Sequence, residues 1–157
     1  MSKNLDLWQS VETTDPEFTT KVNQRGGFTA IGAQYQLKNA TELFGPFGVG
    51  FGVSDEKYTP ILDDSLIVYT ATFWYNYPNK DGEPDRNGQF PISSSIRTSM
   101  GSRIDDDCIK KVATDALTKG LSKLGFNADV FMGRFDDNKY VNANGSTASE
   151  QKSDDWV

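Results

Sequence analysis

Between Ser102 and Gly133 the apolar residues recur at steps of three and four. Ile104, Cys108, Ile109, Val112, Ala113, Ala116, Leu117, Leu121 and Leu124 make one broad apolar face, the pattern of an amphipathic helix several turns long. Asp105, Asp106 and Asp107 are expected in its first turn, where negative charge suits the helix dipole. Gly125, behind Lys119 and Lys123, supplies the C-terminal stop. At roughly 100° per residue the opposite face carries Lys111, Thr114, Asp115, Thr118, Lys119 and Ser122, a basic, hydroxyl-rich surface able to meet phosphate oxygens.

Upstream the period changes from helical to alternating. Ser65 to Tyr77 is the strongest strand signal: Ile67, Tyr69, Ala71, Phe73, Tyr75 and Tyr77 share one face, and Leu66, Val68, Thr70, Thr72 and Trp74 the other. Gly88 to Met100 is a second strand, with Phe90, Ile92, Ile96 and Met100 toward a core and Ser93, Ser95, Arg97 and Ser99 away from it. The charged segment Pro78 to Asn87 between them reads as a solvent-facing hairpin loop. Phe47 to Val53 predicts a third strand, apolar at odd positions and glycine at even ones, followed by a polar turn over 54 to 64. Ala33 to Phe44 predicts a helix with the stripe Tyr35, Leu37, Ala40, Leu43 and Phe44, stopped by Gly45-Pro46. The first 24 residues hold one short apolar patch, Leu5, Leu7, Trp8 and Val11, and are expected to form a short helix or a docking arm.

The sum is an α+β fold with a β-β-β-α core: a three-stranded antiparallel sheet packed against a long C-terminal helix, with a helix before it. After Gly125, Val130, Phe131, Met132 and Phe135 ask for burial. From Val141 the chain is poor in apolar residues and ends Asp154-Asp155-Trp156-Val157, so residues 1–140 are expected to fold and 141–157 to be a disordered acidic tail.

Composition narrows the chemistry. With 157 residues the chain has room for one modest core. There is no histidine and one cysteine, so a His-based triad, a zinc site within one chain and a disulfide framework are excluded, and Cys108 reads as a packing residue. No cofactor or metal is expected. No run of about twenty apolar residues and no signal peptide is present, so the expectation is a soluble, cytoplasmic protein with no membrane contact. A net charge of −6 argues mildly against nucleic acid, but local patches decide binding. The glycines of FGVGF alternate along a strand that follows a helix, which is the wrong context for a dinucleotide loop. Arg25-Gly26-Gly27-Phe28 reads as a turn whose arginine is a candidate phosphate contact.

Two stretches carry a resemblance. Lys38 to Phe51, KNATELFGPFGVGF, resembles the segment of the Rad fifty-two superfamily in which a helix ends at phenylalanine-glycine and enters a glycine-bearing strand. Ala113 to Phe126, ATDALTKGLSKLGF, resembles the signature helix of that superfamily. GFTAI at Gly27 to Ile31, Tyr35-Gln36, and GFNADVFMGRFDDNKY at Gly125 to Tyr140 are similar to its phage single-strand annealing branch, so the likeness spans most of residues 8 to 140. It implies a β-β-β-α core assembling into rings or filaments, with single-stranded DNA in a basic groove between the sheet hairpin and the long helix, annealed without ATP. Lys119 matches a basic groove position, whereas Thr118 and Ser122 stand where better-known relatives carry basic residues, and Tyr35 where some carry arginine.

The expected function is therefore single-stranded DNA binding and strand annealing in phage homologous recombination and repair, with no bond-making site. The candidate DNA-binding residues are Arg25, Lys38, Arg97, Arg103, Lys111, Lys119 and Lys123; Trp74 and Tyr75 read first as core residues, with base stacking as the alternative role. The expected partners are single-stranded DNA, further copies of the chain, and a phage or host recombination or replication protein recruited by the tail. A protein that protects single strands without annealing them is the alternative. A magnesium nuclease built on Asp105, Asp106, Asp107 and Asp115 is disfavoured, because consecutive helical residues fan out by roughly 100° each and cannot converge on one ion.

Overall fold

The structure, a computed structural model, describes residues 3–22, 28–79 and 84–134. In chain order its elements are α1 (Asp6–Val11), β1 (Thr19–Val22), β2 (Phe28–Ile31), α2 (Ala33–Phe44), β3 (Phe51–Ile61), β4 (Leu66–Tyr77), β5 (Arg86–Arg97), β6 (Ser99–Met100), β7 (Arg103–Ile104), α3 (Cys108–Lys123) and α4 (Ala128–Phe131). They fall into two units: one holds residues 37–120, and the other draws on the chain up to residue 36 and from residue 121 onward. The class is α+β, and the order of helix, three antiparallel strands and long helix is the one the pattern predicts.

Within residues 37–120 the sheet runs β3-β4-β5, both pairings antiparallel. The most apolar strand, β4, lies in the middle, where both its edges are hydrogen-bonded. Phe51, Tyr69, Ala71, Phe73 and Ile92 are buried on one face, and Cys108, Val112 and Ala116 are the buried stripe of α3. Gly120 lets α3 approach that face, since a Cβ there would lie 2.9 Å from Cγ2 of Ile92. Aromatic pairs tie the layer together: Phe73 with Phe90 at 5.2 Å, and Phe44 of α2 with Tyr75 at 5.4 Å. Burial of the Phe44 and Phe73 rings, the two of these that are fully enclosed, contributes about 1.5–3 kcal/mol each.

Several boundaries differ from the sequence expectation. Residues 48–50 form a turn and Phe47 makes only an isolated bridge to Phe51, so the strand begins at Phe51 and Phe47 and Val49 are left exposed. The Gly48 amide donates to the Phe51 carbonyl and the Gly50 amide to the Pro46 carbonyl. Gly50 is obligatory there, because a Cβ would overlap the Phe44 carbonyl oxygen. The segment read as a polar turn is mostly strand: β3 continues to Ile61, and the turn is confined to residues 62–65. Its charges are tolerated because β3 is an edge strand with one open face and because Asp55 and Glu56 sit in a bulge. The register steps from Ser54↔Thr72 to Lys57↔Thr70, one residue more on β3 than on β4, and Asp55 takes φ 54°. Strand β5 ends at Arg97, and a small β6-β7 hairpin follows, so Met100 is exposed and not a core residue. Ile104 belongs to that hairpin and is also exposed. The helix starts at Cys108, leaving Asp105–Asp107 ahead of it, and Ile109 lies off the buried stripe.

In the other unit, β1 and β2 pair as an antiparallel hairpin that the sequence did not announce. The chain after α3 returns to the N-terminal segment. Asn127 and Asp129 donate backbone N–H groups to the carbonyls of Val11 and Glu12. The buried Asp129 carboxylate accepts from the Thr14 backbone N–H at 2.8 Å, the Thr14 hydroxyl at 2.6 Å and the Val130 N–H at 2.8 Å. Gly125, with φ 105°, ends α3 as predicted and seats Trp8 against its backbone. Val130 is buried, but Phe131 and Met132 are exposed, contrary to expectation. Phe135, Lys139 and the tail from 141 onward lie outside the described residues.

Candidate nucleic-acid interface

Two surfaces of the unit spanning residues 37–120 carry Lys57, Arg97, Arg103, Lys111 and Lys119. The first is the exposed face of α3 together with the β6-β7 hairpin. Lys111 Nζ lies 3.0 Å from Asp105 Oδ2, and the neighbouring Asp106 and Asp107 add to the same negative field. The bond to Asp105 holds the lysine above its ordinary pKa, and the same bond holds the Asp105 carboxyl below the usual carboxylate range. Lys119 Nζ lies 2.8 Å from Asp115 Oδ2, one helical turn away. Partial burial raises the pKa of Asp115, but the bonds it accepts from Lys119 and from the Ser94 hydroxyl outweigh that and leave it lowered. Arg103 and Lys111 share the wall of a recess of about 280 Å³ with Met100, Ile104 and Asp105–Asp107. That recess mixes both signs of charge with exposed apolar side chains.

The second surface is the face of the β3-β4-β5 sheet turned away from the buried layer. Strand alternation lays it out in rows: Gly52, Trp74, Gln89; Ser54, Thr72, Pro91; Lys57, Thr70, Ser93; Thr59, Val68, Ser95; Ile61, Leu66, Arg97. Ser93, Ser95 and Arg97 point the way the sequence predicts, and all three are exposed. Lys57 joins them because the bulge shifts β3 by one residue. Neither Lys57 nor Arg97 makes an ion pair with any described residue. Trp74 is half-buried and on this face, whereas Tyr75 is on the buried side, packed against Phe44 and Phe73.

The structure therefore brings Arg103 and Lys111 together at one recess and places Lys119 two turns along the same helix, but it sets Arg97 on the opposite face of the sheet from α3. Lys38 is exposed on α2, and Lys123 is exposed at the end of α3, in the other unit. Arg25 lies outside the described residues. Lys57 is the candidate that sequence reasoning missed. Its signal was the Lys57-Thr59-Ile61 alternation, hidden by the carboxylates before it.

The aspartates considered for a metal are placed differently from the helical fan that the sequence implies. Asp105 bonds Lys111 and the Asp107 N–H, and Asp115 bonds Lys119 and Ser94. Among the described residues no group of three or more His, Cys, Asp or Glu is arranged to hold a metal ion. No helix among them is long and apolar enough to cross a membrane. No protein-family model and no curated protein matches the chain.

Proposed function

We propose that this chain binds single-stranded DNA and anneals complementary strands without ATP, as a homo-oligomer of the Rad fifty-two-like phage annealing type, acting in homologous recombination in a bacterial host's cytoplasm. The observation that carries the reading is the β-β-β-α order of residues 51–123, with α3 laid on one face of the sheet by Val112, Ala116 and Gly120. That is the core the sequence resemblance implies. The exposed cations Lys57, Arg97 and Arg103 support it, since phosphate contacts supply most of the affinity for single strands. The chemistry is capture and presentation: the protein holds backbone, leaves base edges unpaired, and makes or breaks no bond.

The test uses two complementary labelled oligonucleotides mixed with and without the protein. Faster duplex formation, independent of ATP, supports annealing. Binding with slowed or unchanged pairing replaces it with single-strand protection, and absence of binding at low salt removes both readings.

A further inference from the structure

We propose that the open face of the β3-β4-β5 sheet is the surface that receives the single strand, with Lys57 and Arg97 as phosphate contacts and Trp74 as the base-stacking ring; this rests on the single-strand-binding reading above and locates its site. The face differs from the exposed side of α3 in its charge. Apart from the bulge residues Asp55 and Glu56, its rows hold no carboxylate, although the chain as a whole carries a net charge of −6. Glu56 is engaged from the other side, where its carboxylate accepts the Tyr69 hydroxyl at 2.7 Å. Charge complementarity to a polyanion is thus concentrated where the lysines of α3 do not supply it: Lys111 and Lys119 already hold carboxylates at 3.0 and 2.8 Å. A phosphate approaching either must compete with that partner.

Shape points the same way. From the Trp74 row to the Arg97 row, at Leu66, is eight residue steps along β4, about 26 Å at ~3.3 Å per residue, a length suited to roughly four or more nucleotides. Ser54, Thr59, Thr70, Thr72, Ser93 and Ser95 keep the floor low and supply hydroxyl donors. Gly52 is the seat of the ring: a Cβ there would lie 3.0 Å from Cζ2 and 3.2 Å from Cε2 of Trp74 and would push the indole outward by a few tenths of an ångström, so glycine lets it lie close over β3. A flat ring at one end and two cations beyond it match the combination of stacking platform and backbone-tracking charge that sequence-tolerant single-strand binders use.

The experiment compares the full-length protein with K57A/R97A, K111A/K119A, W74F and W74A, using an unstructured oligothymidylate and reading anisotropy across a salt series, with circular dichroism as the check on folding. The proposal expects K57A/R97A to flatten the slope of log affinity against log salt by about 1.4, at ~0.7 for each phosphate no longer neutralised. It expects K111A/K119A to leave the slope within error of the parent. W74A should lose about 5- to 150-fold in affinity, the range for one stacked base, and W74F should recover most of it. An unchanged slope in K57A/R97A while the parent binds, or a loss confined to K111A/K119A, overturns the sheet-face site and leaves single-strand binding intact. A K57A/R97A protein that binds like the parent but changes its native mass marks the face as an interface between copies and likewise overturns the proposal. Failure of the parent itself to bind removes the underlying reading.

Discussion

The Tyr69 hydroxyl is buried in the β3-β4-β5 layer and donates to the Glu56 carboxylate, and its pKa is raised, first by burial and then by that hydrogen bond and charge. Ionising it leaves a phenolate without solvation beside a carboxylate. The folded pKa lies above the unfolded value of about 10, so its contribution is complete below that pH and is lost as pH rises beyond it. Urea unfolding followed by circular dichroism should therefore show stability falling above about pH 10, and Tyr69→Phe should flatten that limb; an equally steep limb in the variant assigns it to other groups. Gly50 gives a sharper expectation. Its α-hydrogen faces the Phe44 carbonyl oxygen, where a Cβ would overlap that oxygen and lie 2.8 Å from the Gly45 Cα. Both obstacles are backbone and cannot rotate away, so Gly50→Ala should cost about 2–3 kcal/mol or more in urea unfolding, whereas an alanine at Gly101, with open space around it, meets only the strain of its φ of 64°.

Elements are held by what their ends and faces meet. Helix α3 begins where the Asp107 carbonyl accepts the Lys111 N–H, after the three aspartates and not among them. Helix α4 has only four residues, too few to stand alone, and persists because Asp129 is tied to the N-terminal segment through Thr14. Asp129→Ala takes the acceptor from three hydrogen bonds and leaves the Thr14 N–H and hydroxyl buried without that partner. A loss of about 3 kcal/mol in unfolding free energy is expected, with Asp129→Asn intermediate because it keeps one oxygen acceptor. The bulge in β3 is the other element-scale device. Before it, odd-numbered Phe51 and Val53 face inward; after it, even-numbered Tyr58 and Pro60 do, and Lys57 is turned to the open face.

For the whole molecule, the proposed capture of a polyanion by a chain of net charge −6 relies on a local cationic surface, and that capture should weaken steeply with salt. Annealing further requires that copies line up along a strand. Native mass spectrometry with and without an oligonucleotide should reveal a ring or filament whose mass rises by whole strands. A chain that remains monomeric in both conditions counts against annealing, though a monomer could still protect single strands. The same measurement on K57A/R97A separates weakened DNA binding from failed assembly.

Most of the architecture was readable because it follows from local periodicity. Ala33–Phe44 emerges with the predicted ends, β4 within one residue of its predicted start, and Gly125 as the stop of α3. Those signals depend on neighbours a few residues away, which the chain carries in its own order. The extent of β3, the hairpin at Met100 and Ile104, and the exposure of Phe131 were not readable, because they turn on edge position, a bulge and packing partners more than a hundred residues distant in the case of Thr14 and Asp129. The candidate cations divide in the same way. Arg97 was visible in the alternation of its strand, but that Lys111 and Lys119 already face carboxylates while Lys57 and Arg97 do not depends on which side chains the fold carries to within 3 Å of one another.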